Sequence, residues 1–293
     1  IQDLSKHSQD LKNLERDITL FHAKITKELN NEDENMIIGF HGQTIYHNAE
    51  KKISKQLGDG YLLNQLTKKK VIFKFRENDI LNDGEGAPLT PIYHQLLVTQ
   101  KRIDLPVCVL NIGGISNITI IKGPIGSPEI FSKDIGPGNC LIDTWVRKNS
   151  IKKFDINGQL ASSGNINEII FEQAQELYTN RQNKNQSSFD TNDFDVSFTR
   201  GLSLEDGAAT LTSFTASIIS ESIFTNLKKD TPIKVLVCGG GRKNNILLNS
   251  IKNSLPDKIN LTLIDEIHVN GDFVESQAFA YLAIRSLKRL PIT

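Results

Sequence analysis

Three times in this chain a run of aliphatic residues with strand character stops at glycines. The runs are LNIGGISN around Gly113 and Gly114, DIGPGN around Gly136 and Gly138, and VCGGGRKN around Gly239, Gly240 and Gly241. Glycine permits positive φ and lets backbone N–H groups approach a ligand closely. A strand, a glycine turn and a helix start together make an anion site, because orphan N–H groups and the helix dipole point the same way. Taken singly, each turn is more simply a tight connection. Three in one chain point to a nucleotide cleft. Neither the Rossmann glycine spacing nor the Walker GxxxxGK[ST] spacing occurs, so the phosphate site belongs to another architecture.

The 293 residues suffice for one large domain or two medium lobes. Lys+Arg 34 balance Asp+Glu 34, so the totals carry no footprint for nucleic acid or an anionic membrane. No apolar run approaches the roughly 20 residues of a membrane span. The best, Val107 to Ile121, is broken by Asn111, Gly113, Gly114, Ser116 and Asn117. The opening IQDLSKHSQD is charged where a secretory signal is apolar. Cys108, Cys140 and Cys238 are dispersed and suit neither a disulfide framework nor a zinc site. A reduced cytoplasmic protein is the expectation, which makes the glycosylation patterns at Asn117, Asn185 and Asn260 background.

Periodicity predicts helices over Leu11–Leu29, Pro88–Val98, Cys140–Lys148, Ile166–Leu177, Leu204–Leu227 and Phe273–Leu287, with another after Asn244. Asn30–Asn35 is a polar break, and Lys51–Lys70 is basic and partly helical. Strands are expected at Met36–Phe40, Val71–Phe75, Val107–Asn111, Ser116–Ile121, Val235–Cys238 and Leu261–Ile264. Asp134–Asn139 reads as a tight turn with Asn139 capping the next helix, and Asn180–Thr199 as a polar loop. The class is α/β. A composition shift at Lys101–Pro106 places a lobe boundary between residues 1–104 and 105–293.

A kinase or hydrolase in such a cleft needs a carboxylate to take a proton from the attacking oxygen. Asp134 stands just before a glycine turn and close to a helix start; a general base and a turn or capping Asp are equal readings of that position. Asp143, further into the helix, suits a structural partner or a ligand contact better than the base. His41 and His47 flank a GQT turn at a spacing that does not match a helical metal pair. For His41, a polar-ligand contact and a satisfied structural histidine are both open.

Several segments then resemble one family in order along the chain: HGQTIYH, GEGAPLTPIYHQLL, LNIGGISNITII, DIGPGNCLIDTW, FDINGQLASSGNIN, LSLEDGAATLTSFTA, VCGGGRKNN and VESQAFAYLAIRSL. Together they resemble the 1,6-anhydro-N-acetylmuramic acid kinases, from about residue 37 to residue 290. The resemblance implies a two-lobed actin/hexokinase-like (ribonuclease H-like) fold with ATP and sugar bound between the lobes. It implies a reaction in which water opens the anhydro ring while O6 is phosphorylated, giving N-acetylmuramic acid 6-phosphate in cell-wall recycling. Asp134 falls on the family's general base, and Mg²⁺ would accompany ATP. By the same resemblance Gly239, Gly240, Gly241 and Asn244 lie on the adenosine side. Gly113, Gly114, Ser116 and Asn117 form a phosphate hairpin, with Gly136, Gly138 and Asn139 in the turn beside it. His41, Gln43, Asp143 and Glu275 become sugar or cleft contacts. A homodimer is suggested.

The departures run one way. The family's SGTSxDGxD segment has no counterpart before Leu11, nor its VTGA-like stretch after Pro291, which would leave the first lobe incomplete. The family's DFRRRD is here Lys74-Phe75-Arg76-Glu77-Asn78-Asp79, and a KS(L)DRNDF-like loop is Ser187–Phe194, with cations lost from both. The competing expectation is a decayed homologue that keeps the fold and muramyl-sugar binding without phosphoryl transfer.

Overall fold

The computed structural model describes residues 8–29, 35–48, 51–182, 189, 194–227 and 233–293. Residues 1–93 with 275–293 form one unit, and residues 94–274 form the other.

In the first unit, α1 (Ser8–Leu29) precedes β1 (Ile37–Phe40) and a hairpin of β2 (Gln43–Asn48) and β3 (Ile53–Leu57). Next come α2 (Gly60–Thr67), β4 (Lys70–Phe73), which pairs parallel with β1, and α3 (Phe75–Leu81). Asp59 starts α2 by accepting the Tyr61 and Leu62 N–H groups, both at 2.9 Å. The final helix, α10 (Val274–Leu287), returns to this unit. Leu282 and Ala283 share a core with Phe75, Leu89 and Ile292. The helix packs so closely on β1 that a Cβ at Gly39 would lie 2.6 Å from the Phe279 carbonyl oxygen.

The second unit is built on a sheet of β5 (Val107–Ile112), β6 (Ile115–Ile121), β7 (Ile130–Pro137), β8 (Ile233–Cys238) and β9 (Ile259–Leu263), in the order β7-β6-β5-β8-β9. Only β6 runs against the rest. That mixed α/β order is the ribonuclease H-like arrangement. β5 at the centre is buried on both faces, which its unbroken VCVL run requires. Between the strands lie α5 (Cys140–Asn149), α6 (Gln159–Ser163), α7 (Glu168–Gln182), α8 (Leu204–Asn226) and α9 (Asn245–Ser254). Cys108, Leu110 and Ile112 of β5 share one core with Ile219 and Ile223 of α8 and Leu247 and Ile251 of α9.

Several expectations shift. α4 (Pro91–Gln100) begins at Pro91 rather than Pro88, because the residue before a proline is barred from helical geometry. The unit division falls inside α4, between Tyr93 and His94, and α10 belongs to the first unit, whereas composition placed the boundary at 104/105. Lys51–Lys70 holds the strand β3 as well as α2. Asp134 to Pro137 is strand, not turn, because Asp134, Gly136 and Pro137 continue the ladder with β6. Of the polar stretches, Asn30–Glu34, residues 183–188 and residues 190–193 lie outside the described residues, and Asn185 and most of Ser187–Phe194 with them.

Candidate active site

The three glycine turns meet at the carboxyl ends of β5, β7 and β8. Gly138 N–H and Cys140 N–H donate to the Gly114 carbonyl at 2.9 and 3.1 Å, and Asn139 N–H donates to the Gly113 carbonyl at 2.8 Å. The start of α5 is thus occupied by the β5–β6 turn. A Cβ at Gly138 would lie 2.4 Å from the Gly113 carbonyl oxygen, so this glycine serves backbone-to-backbone approach. Asn139 makes no side-chain cap, contrary to expectation; its Nδ2 reaches across to the Ile112 and Gly113 carbonyls at 3.3 and 2.9 Å.

The loop after β8 locks onto the same hub. Gly239 has φ +81°, and a Cβ there would lie 2.4 Å from Asn111 Oδ1. At Gly241 a Cβ would lie 2.2 Å from Ile112 Cγ2, whereas at Gly240 the nearest atom is Asn139 Nδ2 at 4.0 Å. Two of the three glycines therefore fit the loop to β5, and Gly240 alone faces open space. Asn244 is buried and caps α9, accepting the Leu247 N–H at 3.0 Å. Ser116 is fully buried, its hydroxyl donating to the Pro137 carbonyl at 3.2 Å.

Asp134 sits on β7 opposite Asn117 of β6. Asn117 in turn lies opposite Asn111 of β5, and Asn111 opposite Cys238 of β8. Directly paired residues leave the same face of a sheet, so Asn111, Asn117 and Asp134 form a polar row across it. The row lies on the face turned away from the core shared with α8 and α9, since Leu110, Ile112 and Ile118 occupy that core. A bulge beside Asn117 leaves Ile135 out of the ladder. The Ile135 carbonyl is satisfied instead by Tyr178 Oη at 3.2 Å and Ser222 Oγ at 3.4 Å. Half-buried Asp134 accepts the Phe189 backbone N–H on Oδ2 at 3.2 Å. Gly136 (φ +142°) follows the bulge, and a Cβ there would meet Ile218 and Tyr178.

Asp143 stands one turn into α5. Burial pushes its carboxyl above the usual range, partly offset by Arg147, whose guanidinium lies 3.8 Å away.

In the first unit, His41 Nδ1 bonds the Gly42 carbonyl at 2.8 Å, and Arg76 Nε donates to His41 Nε2, also at 2.8 Å. A neutral Nδ1–H tautomer satisfies both ring nitrogens. Burial, then the Arg76 charge, lower its pKa to about 4. The ring packs on Phe279, with centroids 4.4 Å apart. Arg76 Nη1 also donates to the Gly86 carbonyl at 2.7 Å, and buried Asp79 accepts the Gly86 N–H at 2.7 Å. Within the altered KFREND segment, the retained Arg76 and Asp79 thus hold His41 and the GEGAP loop. The altered Lys74 and Glu77 pair with each other at the surface, at 2.9 Å. Gln43 begins β2, exposed, and Glu275 lies exposed in the first turn of α10.

Sequence reasoning missed Asn111 and Arg242. Asn111 is visible as a polar residue inside an otherwise apolar strand. Arg242 gives no such signal, since a cation after glycines is ordinary.

Residues 1–293 match the model of the anhydro-N-acetylmuramic acid kinase family. A protein named anhydro-N-acetylmuramic acid kinase from Pelagibacter ubique (strain HTCC1062) is 53% identical over 290 residues, spanning 98% of this chain and 77% of that protein. One of the same name from Zymomonas mobilis is 39% identical over 259 residues, spanning 88% of this chain and 68% of its own length. No described helix is long and apolar enough to cross a membrane. With its glycine turns gathered at one end of the sheet beside Asp134, the chain belongs to the anhydro-N-acetylmuramic acid kinase family, a family of sugar kinases.

Proposed function

We infer that this chain is an ATP-dependent kinase that opens the 1,6-anhydro ring of anhydro-N-acetylmuramic acid with water and phosphorylates O6. The observation that carries the reading is the polar row ending at Asp134, whose pair with Asn117 is one ladder step from the Ser116–Gly136 pair next to the glycine hub. In this reading Asp134 takes a proton from water as the water oxygen bonds to C1. The C1–O6 bond breaks, and O6 accepts the γ-phosphoryl group that ATP supplies. The proton later leaves Asp134 to solvent, so the products are N-acetylmuramic acid 6-phosphate, ADP and a proton. A base held against a bound water has a large advantage in effective concentration.

Gly240 is the position that fits a nucleotide, because its exposed backbone lacks the Cβ that would occupy the open space. Among the described residues no three His, Cys, Asp or Glu side chains gather to hold a metal ion. In this reading Mg²⁺ would come with the nucleotide, whose phosphates would hold it together with water, and would offset the phosphate charge. Asn117 and Asn111 continue the row from Asp134 across the sheet and offer amide groups to the same ligand. Place in amino-sugar recycling, in the cytoplasm, and assembly as a homodimer belong to the same reading.

The test is phosphorylation of 1,6-anhydro-N-acetylmuramic acid by ATP and Mg²⁺, comparing the chain with Asp134→Asn. The expected result is sugar-dependent ADP release in the parent and its loss in the variant, with folding and sugar binding retained. A parent that is folded, binds the sugar and releases no ADP would favour the decayed homologue. Equal turnover in the variant would remove Asp134 from the chemistry.

A further inference from the structure

Arg242 follows the triple glycine, where an arginine invites assignment as a phosphate contact. Its surroundings argue otherwise. The side chain is only 5% exposed. Its Nε and Nη2 form a fork with Asp265, at 2.7 and 3.3 Å. Nη1 donates to Asp272 Oδ1 at 2.9 Å and to the Gly239 carbonyl at 3.0 Å. Lys243 bonds the other Asp272 oxygen at 2.7 Å, so two cations face two carboxylates and the group is neutral. The segment after β9 is shaped around the guanidinium. A Cβ at Gly271 would lie 2.3 Å from Arg242 Nε, and the Gly271 N–H donates to Asp265 Oδ1 at 3.2 Å.

We propose that Arg242 is a positioning residue for the nucleotide loop: a buried ionic strut that fixes the Gly239 carbonyl against Asp265 and Asp272, so that Gly240 is held in its open pose. The inference rests on the nucleotide reading of the glycine loop given above. Three features support a strut over a ligand contact. Four of the five guanidinium N–H groups are taken by partners within the unit, the side chain points at the carbonyl side of the loop, and its charge is already balanced. The strut also ties the loop to residue 272, two positions before the chain crosses to the other unit at 274/275. Lysine cannot reproduce the planar fork, so Arg242→Lys keeps the charge and removes the geometry.

The experiment measures ATP and anhydro-sugar affinity of the whole chain by calorimetry, with amide hydrogen exchange, for the parent, Arg242→Lys and Asp272→Asn. For Arg242→Lys the expected result is an ATP affinity lower by about tenfold or more, sugar affinity unchanged, and faster exchange confined to residues 239–243. Asp272→Asn, which retains a hydrogen-bond acceptor, should shift the same quantities less, and it decides the matter if Arg242→Lys does not fold. Unchanged ATP affinity with unchanged exchange overturns the strut. So does a parallel loss of ATP and sugar affinity with exchange rising across β8 and α9, which marks a purely structural role. A parent that binds no ATP overturns the nucleotide reading instead. The strut then stands or falls on whether the accelerated exchange is confined to the loop.

Discussion

Asn139 bonds the Gly113 carbonyl twice, through its backbone N–H at 2.8 Å and through its side-chain Nδ2 at 2.9 Å. One residue thereby ties the β7–α5 turn to the β5–β6 turn. Asn139→Ala should cost about 1–2 kcal/mol in urea unfolding, since it removes two part-buried side-chain hydrogen bonds, although the Gly113 carbonyl keeps the backbone N–H. Asn139→Asp should cost more, because a carboxylate would face two carbonyl oxygens. An unchanged midpoint in both variants would show that the side-chain tie does not matter.

Gly240 and Gly241 should respond oppositely to alanine. At Gly241 the new methyl meets Ile112, and overpacking of this kind costs about 1–3 kcal/mol. At Gly240 it meets nothing closer than 4.0 Å, so stability should stay within about 0.5 kcal/mol while ATP affinity falls. A Gly240→Ala chain that binds ATP as the parent does would place the nucleotide elsewhere.

The histidines predict how stability depends on pH. His41 and His94 are both lowered from 6.5 to about 4, chiefly by burial, and His94 Nδ1 also bonds Thr119 Oγ1 at 2.9 Å. Between pH 6.5 and 4 the unfolded chain therefore binds more protons at these sites than the folded one. Stability should be full above pH 6.5 and fall as pH drops toward 4, by up to about 3 kcal/mol per histidine. His94→Gln cannot titrate and should flatten the slope of unfolding free energy against pH. An identical slope would mean that other groups carry it.

Gly207 of α8 lies under the indole of Trp145, where a Cβ would be 2.2 Å from Cε2, and the indole Nε1 donates to the Leu204 carbonyl at 2.9 Å. Alanine would ordinarily favour a helix by about 1 kcal/mol. Here Gly207→Ala should instead destabilise by about 1–3 kcal/mol and shift the fluorescence of the chain's single tryptophan. A stabilised variant with unshifted emission would contradict the packing.

What the sequence made legible follows from how local the causes are. β5 and β8 stand out because strands buried on both faces carry continuous apolar runs, and β6 because it is rich in β-branched residues. β7 does not, since Ser132, Lys133 and Asp134 interrupt it and its Gly136-Pro137 end resembles a turn. The β2–β3 hairpin is half-exposed along most of its length, so its alternation is weak. α10 was visible as a helix, but its unit was not, because Phe75 and Leu89 lie far away in sequence. The same limit hid the strut: Asp265 and Asp272 stand 23 and 30 residues beyond Arg242. It also hid the role of Asn139, whose partners are 26 and 27 residues before it.

The sheet order has a kinetic consequence. The β5–β6–β7 meander joins neighbours in sequence, whereas β8 takes its place beside β5 with Asn111 and Cys238 separated by 127 residues. Pairings of such long separation close late, because loop entropy is lost before any contact is made. A chain emerging from the ribosome would carry Asp134 on a formed meander while β5 still presents an unpaired edge. The glycine loop can join the hub only when β8 inserts. Asp134 is therefore in place before the glycine loop after β8, and assembly of the hub is gated by the slowest strand to arrive.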